Sequence, residues 1–131
     1  MIAQVANKLA RCVTGETKHV RKGQSLTLKC QAVLDDRVTW NYIPSHDDDD
    51  GVVHLVYWLD KMHSVDRRRF DVSRSQKGVF DLVISSVNST DAGIYRCREH
   101  TGRHPGEVCF KLVVRGTIVY FPMITQSKGQ F

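Results

Sequence analysis

Polar and apolar residues alternate along most of the chain. In Ser25-Leu26-Thr27-Leu28-Lys29-Cys30, the residues Leu26, Leu28 and Cys30 fall at period two, which predicts a strand with one buried face, led in by the stretch from Val20. Arg37 to Tyr42 repeats the pattern, with Val38, Trp40 and Tyr42 inward and Thr39 and Asn41 outward. Val52 to Leu59 is a continuous apolar run rich in β-branched and aromatic residues, and it too reads as a strand. Phe70 to Ser73 is short and alternating, and Val79 to Ile84 sets Phe80, Leu82 and Ile84 in register. Gly93 to Arg98 and Val108 to Val114 complete the set. Turn signals separate these runs: Lys22-Gly23-Gln24, Asp35-Asp36, Pro44 to Gly51, Lys77-Gly78 and His104-Pro105-Gly106. No stretch keeps a helical apolar period over three turns, and there is no internal repeat. Many short strands at this spacing predict an all-β sandwich or barrel.

Size and composition fit one such domain. The chain has 131 residues, 41% of them apolar, enough for a single core. No run approaches the ~18 apolar residues of a membrane span. Met1 to Ala10 lacks the apolar centre of a secretion leader, so Met1 is expected to stand before a mature segment. The net charge of +5 admits acidic partners without choosing among protein, glycan and nucleic acid. Asp47 to Asp50, preceded by His46, reads as a solvated loop, because a calcium loop spaces its carboxylates and turns at a glycine. The four cysteines contain no C-x-x-C pair, which disfavours zinc. The six histidines are dispersed and no phosphate-cradling glycine loop occurs. No enzyme activity, cofactor, metal or nucleic-acid partner is therefore expected.

One constellation is more specific. Cys30 and Cys97 lie 67 residues apart, and Trp40 follows Cys30 by ten residues on the next predicted strand. Asp91-Ala92-Gly93-Ile94-Tyr95-Arg96-Cys97 puts a tyrosine two residues before the second cysteine, and Arg69-Phe70 opens a strand upstream of it. In this order and spacing the chain resembles the immunoglobulin superfamily, V-set type, over roughly residues 8–115. The resemblance implies a two-sheet Greek-key sandwich of V type spanning residues 1–115, with residues 116–131 as a tail, a linker or the start of a membrane-proximal segment. It implies a Cys30–Cys97 inter-sheet disulfide, a Trp40 packed on it, a Tyr95 hydroxyl bonded to backbone, and an Arg69–Asp91 salt bridge. The room between Trp40 and Arg69 allows strand C′ and also C″. The A and G strands of such domains approach each other, so Cys12 and Cys109 are expected to pair; free thiols or a bond to a second chain remain open. The chain departs from antigen-receptor domains at the start of strand G, where Gly106 stands at the motif's Phe and Cys109 at its second Gly. That departure puts receptor-style pairing in doubt.

The resemblance further implies an extracellular recognition module of an immune-type or adhesion receptor, on a cell surface or secreted. Its partner would be a protein ligand or counter-receptor, met by the G-F-C-C′ sheet and the loop at 98–106. Arg96 and Arg98 should face outward, with Asn41 beside them and His100, Arg103 and His104 in the adjoining loop. Tyr57 and Trp58 are neighbours on C′, so one should lean outward unless a bulge or a flanking strand covers it, either as a ligand or homodimer contact or simply packed under the C″ segment. Alternatives are a secreted or virus-encoded decoy of the same fold, and a module binding an acidic glycan through Arg96, Arg98 and Arg103. The basic triplet Arg67 to Arg69 is diluted by Asp66 and Asp71. Asn88-Ser89-Thr90 is a glycosylation sequon, which with a disulfide framework points to the secretory pathway.

Overall fold

The structure, a computed structural model, describes residues 15–32, 37–44, 53–100 and 106–116. Within them run β1 (Glu16–Arg21), β2 (Leu26–Leu28), β3 (Val38–Pro44), β4 (His54–Trp58), β5 (Lys61–Met62), β6 (Phe70–Ser73), β7 (Asp81–Ile84), β8 (Gly93–Glu99) and β9 (Glu107–Arg115). They form a six-stranded sheet in the order β1-β9-β8-β3-β4-β5 and a three-stranded sheet in the order β2-β7-β6. The β1–β9 pairing is parallel and the others are antiparallel. This is the V-type sandwich expected from the sequence, with β4 and β5 as C′ and a short C″.

One expected element divides. The stretch from Val20 to Cys30 is two strands in two sheets: β1 joins β9, and β2 joins β7. The crossing is made at Lys22-Gly23-Gln24, where Gly23 takes φ +93°, a left-handed value that glycine adopts without a Cβ clash, and Gln24 N–H donates to Arg21 O at 3.0 Å. Val79, expected to open a longer strand, instead forms a lone bridge to Gln31 ahead of β7.

The core lies between the sheets. Leu28, Trp40, Val56, Phe80, Leu82 and Ile84 are fully enclosed there. Trp40 stacks on Phe110 at 6.2 Å, and its indole N–H donates to Phe80 O at 2.7 Å, so its polar atom is satisfied across the gap. The Cys30–Cys97 disulfide ties the two sheets beside it. Closing a loop of this length contributes about 2–5 kcal/mol in small secreted domains.

The base of the sandwich is set by the D-x-G-x-Y segment. Asp91 accepts from Arg69 Nη1 at 2.7 Å, from Arg69 Nη2 at 3.1 Å and from Asn88 N–H at 2.7 Å. The Tyr95 hydroxyl donates to Asp91 O at 2.6 Å, and burial, followed by the Asp91 charge, raises its pKa so that it stays a donor. Gly93 sits at φ +147°, and a Cβ there would fall 2.6 Å from Ile43 O, so the turn into β8 needs glycine.

Candidate functional site

The strand registers fix which residues share the outer face of the large sheet. Thr39, Arg98 and Glu107 are aligned across β3, β8 and β9, and Asn41, Arg96 and Cys109 form the next row. Trp40, Tyr95, Cys97 and Phe110 point into the core, so these intervening residues point the other way. Thr39, Asn41, Arg96 and Arg98 thus lie on the outer side of the large sheet.

The β3–β4 ladder carries a bulge. Trp40 pairs with Tyr57 but Asn41 pairs with Leu55, so Val56 is the extra residue, and Val56 and Tyr57 are both buried. Tyr57 packs edge-on against Phe80 inside the sandwich, and its hydroxyl donates to Asp60 Oδ1 at 2.8 Å. Trp58 is consequently the outward member of the pair. Its ring meets His100 edge-on at 5.3 Å, and His100 Nε2 is in hydrogen-bonding contact with Thr39 Oγ1. Partial burial, then the Arg98 and Arg96 charges, holds the His100 imidazole below its ordinary pKa, which favours the neutral ring.

The two arginines differ. Arg96 is only 8% exposed: its Nη2 donates to Asn41 Oδ1 at 3.4 Å, and its Nε lies 3.4 Å from Glu107 Oε2. Arg98, two residues on, is exposed. Arg96 thus braces β3, β8 and β9 from outside, while Arg98 presents its charge to solvent. Cys109, beside Arg96, is 1% exposed and disulfide-bonded. Its expected partner Cys12 lies outside the described residues, as do Arg103, His104, the Asp47 to Asp50 run and residues 117–131.

Asn88 is exposed at the opposite end from His100. Its Oδ1 accepts from Ser89 N–H at 2.8 Å and caps the 3-10 turn Ser89–Asp91. Near it, Asp66 takes up part of the arginine triplet, accepting from Arg68 N–H at 3.0 Å and Arg68 Nε at 3.3 Å. The backbone bond comes first among the causes that lower the pKa of its carboxyl.

Two features escaped sequence reasoning. The β4–β5 hairpin turns through Leu59 and Asp60 at φ +50° and +64°, and Leu59 is 57% exposed beside Trp58. Arg74, just after β6, closes that hairpin, at 3.1 Å from Asp60 and stacked over Phe80. The second feature is a cleft of about 710 Å3 between the segment that follows β2 and the start of β9, lined by Lys29, Gln31, Gln76, Val79, Glu99 and Val108 among others. Neither has a local sequence signal, because both depend on how distant segments meet. Among the described residues no group of three or more His, Cys, Asp or Glu is placed to hold a metal.

The architecture defines an immunoglobulin-like sandwich of variable type with a polar and aromatic outer sheet face. The sequence matches the immunoglobulin V-set domain family over residues 14–115, and the chain belongs to that family. A solved structure with the same fold is the second Ig domain of the mouse polymeric immunoglobulin receptor. It is 17% identical, with a TM-score of 0.61, over 79% of this chain and 99% of that one. No curated protein sequence matches the chain. V-set domains are, as a family, recognition modules and typically extracellular.

Proposed function

We propose that this chain is an extracellular recognition domain that binds a protein partner through the outer face of β9, β8, β3 and β4 together with the loop after β8. The observation that supports this reading is the cluster of Trp58, His100 and Arg98 at one end of that face. The cluster joins a half-buried aromatic, a neutral imidazole and an exposed guanidinium. Trp and Arg are enriched among residues that dominate interface energies, and Trp58 is already held in place, so little side-chain entropy is lost on contact. Asn88, at the other end, can carry a glycan without covering this face.

The test is a screen of the domain against an array of cell-surface and secreted ectodomains, repeated with Trp58→Ala and Arg98→Ala. A binder weakened at least tenfold by either change supports the reading. Unchanged binding by both variants overturns it. Light scattering on the purified domain checks the self-association form of the same idea: a dimer that persists in Trp58→Ala excludes this hairpin from the contact. The exposed Arg98 also suits a carboxylate-bearing glycan. Glycan-array binding that survives replacement of Arg96, Arg98 and Arg103 by Ala removes that second reading.

A further inference from the structure

The outer face of β1 and β9 gathers unmatched positive charge. Val20, Phe110 and Leu112 belong to the core, so His19, Arg21, Lys111 and Arg115 point the other way, and all four are exposed. The parallel register sets Arg21 beside Arg115, His19 beside Val113 and Thr17 beside Lys111. Arg115 Nη2 lies 3.3 Å from His19 Nδ1, which puts both on one side of the sheet. Other cations of the domain are matched: Lys18, Lys29, Arg68, Arg69, Arg74 and Arg96 each meet a carboxylate within 4.0 Å. Arg21, Lys111 and Arg115 meet none among the described residues. Neighbouring strands lie about 4.8 Å apart, and like charges placed abreast at that spacing oppose each other. The Arg21–Arg115 row therefore works against the sheet that carries it, and an anion lying over both side chains turns the repulsion into attraction.

We propose that this row, together with Lys111 about 13 Å along β9 at ~3.3 Å per residue, binds a linear sulfated glycan. A guanidinium presents its N–H donors as a fork that matches paired anion oxygens. Cations spaced along an extended strand suit a ligand whose anions recur along a chain better than they suit a single ion. Lys22, exposed and next to Arg21, carries the positive edge into the β1–β2 turn. Single-stranded nucleic acid is less well served, because it is held by stacking on aromatic rings, and Phe110 of β9 faces the core. Trp58 stands on β4, with β8 and β3 between it and β9. The triplet at Arg67 to Arg69 offers less, since Asp66 and Asp91 hold Arg68 and Arg69. The stripe does not use Trp58, His100 or Arg98, so the proposal stands whether or not that cluster binds a protein.

The test is a titration of the intact protein with size-defined heparin oligosaccharides at physiological ionic strength. Saturable binding is expected, and it should disappear with chemically desulfated oligosaccharides; no binding, or equal binding of the desulfated form, overturns the proposal. The triple variant Arg21→Gln, Lys111→Gln, Arg115→Gln should bind at least about tenfold more weakly, with a shallower fall of affinity with salt. A charge-matched control, Lys61→Gln, Arg67→Gln, Lys77→Gln, removes three exposed cations away from β1 and β9 and should stay within about twofold of the parent. Equal weakening of both variants means that net charge alone drives binding, and it overturns the site. Single-stranded DNA that binds as tightly as heparin, with the same loss in the triple variant, overturns the assignment to glycan. The single variant Arg21→Gln keeps the test independent of any folding defect. It should leave the unfolding midpoint unchanged or higher, because the repulsion with Arg115 is gone, while weakening heparin about threefold. Unchanged affinity in that variant overturns the part assigned to the row.

Discussion

The two faces of the large sheet are built from alternate residues of the same strands, yet they are held by different physics. On the inner face, Trp40, Tyr95, Cys97 and Phe110 fill a gap of fixed width, where any change of volume is felt by close-packed neighbours. On the outer face, Arg96, Asn41 and Glu107 are held by polar contacts at about 3.4 Å, and Arg98 and His100 reach solvent. The inner face stores the stability of the domain. The outer face is free to vary in chemistry, because replacing a solvated side chain leaves the gap filled.

If that division is right, the largest loss comes from Trp40→Ala. It removes a fully enclosed ring, its stack on Phe110 and its bond to Phe80 O, and should cost about 3–5 kcal/mol in denaturant unfolding. A cost no greater than that of Arg98→Ala would break the comparison. Next comes Asp91→Ala, which leaves Arg69 and Asn88 N–H without their acceptor at the base. Arg69 and Asp91 are both less than a quarter exposed, so roughly 3 kcal/mol is expected, at the low end for a broken buried pair. If Asp91→Asn keeps most of the stability, the hydrogen bonds matter more than the charge.

These inner and basal positions were also the ones legible in the sequence. Cys30, Trp40, Tyr95 and Cys97 announce themselves because a narrow inter-sheet gap accepts few residue types at few spacings. The Arg69–Asp91 bridge was legible for the same reason, since it closes one defined corner. The outer face was legible only in phase: alternation placed Arg96 and Arg98 outward, but not the burial of one and exposure of the other. That difference comes from Glu107 and Asn41 on neighbouring strands, whose register the sequence does not state. The bulge that sends Trp58 outward and Tyr57 inward was likewise visible only as an even choice. It depends on one extra residue in β4 relative to β3.

On the outer face the expected pattern is the inverse of Trp40. Trp58→Ala should change unfolding stability by less than about 1 kcal/mol, as for a partly exposed side chain, yet weaken a partner that uses the face at least tenfold, or ~1.4 kcal/mol. Large loss of stability with unchanged binding would reassign Trp58 to the core side of the comparison.

A smaller effect distinguishes the two faces by pH. The folded-state pKa of His100 lies below its ordinary value of 6.5, with burial the leading cause and the facing Arg98 and Arg96 charges adding to it. The neutral ring is thus favoured by folding. The contribution is present above about 6.5 and is lost as the pH falls through the folded pKa, because the unfolded chain then binds the proton more readily. His100→Gln should flatten the acid side of the stability profile, and a proton titration of the His100 ring followed by NMR should show the depressed midpoint. A midpoint at or above 6.5 would mean that the ring is not shielded by Trp58 and Thr39.

The smallest expected effect is a gain. Leu59 and Asp60 form a two-residue hairpin loop with both residues left-handed, the geometry that joins twisted antiparallel strands and favours Asn-Gly. Aspartate tolerates that conformation through its short polar side chain, whereas leucine meets the clash of its Cβ with the backbone and gains little burial in return. Leu59→Asn should therefore stabilise the domain by up to about 1 kcal/mol, read as a higher unfolding midpoint at unchanged denaturant slope. An unchanged midpoint would show that the leucine packs on Trp58 well enough to offset the strain. If instead stability rises while partner affinity falls, the hairpin tip belongs to the recognition face, and the strained leucine is retained for what it touches outside the chain.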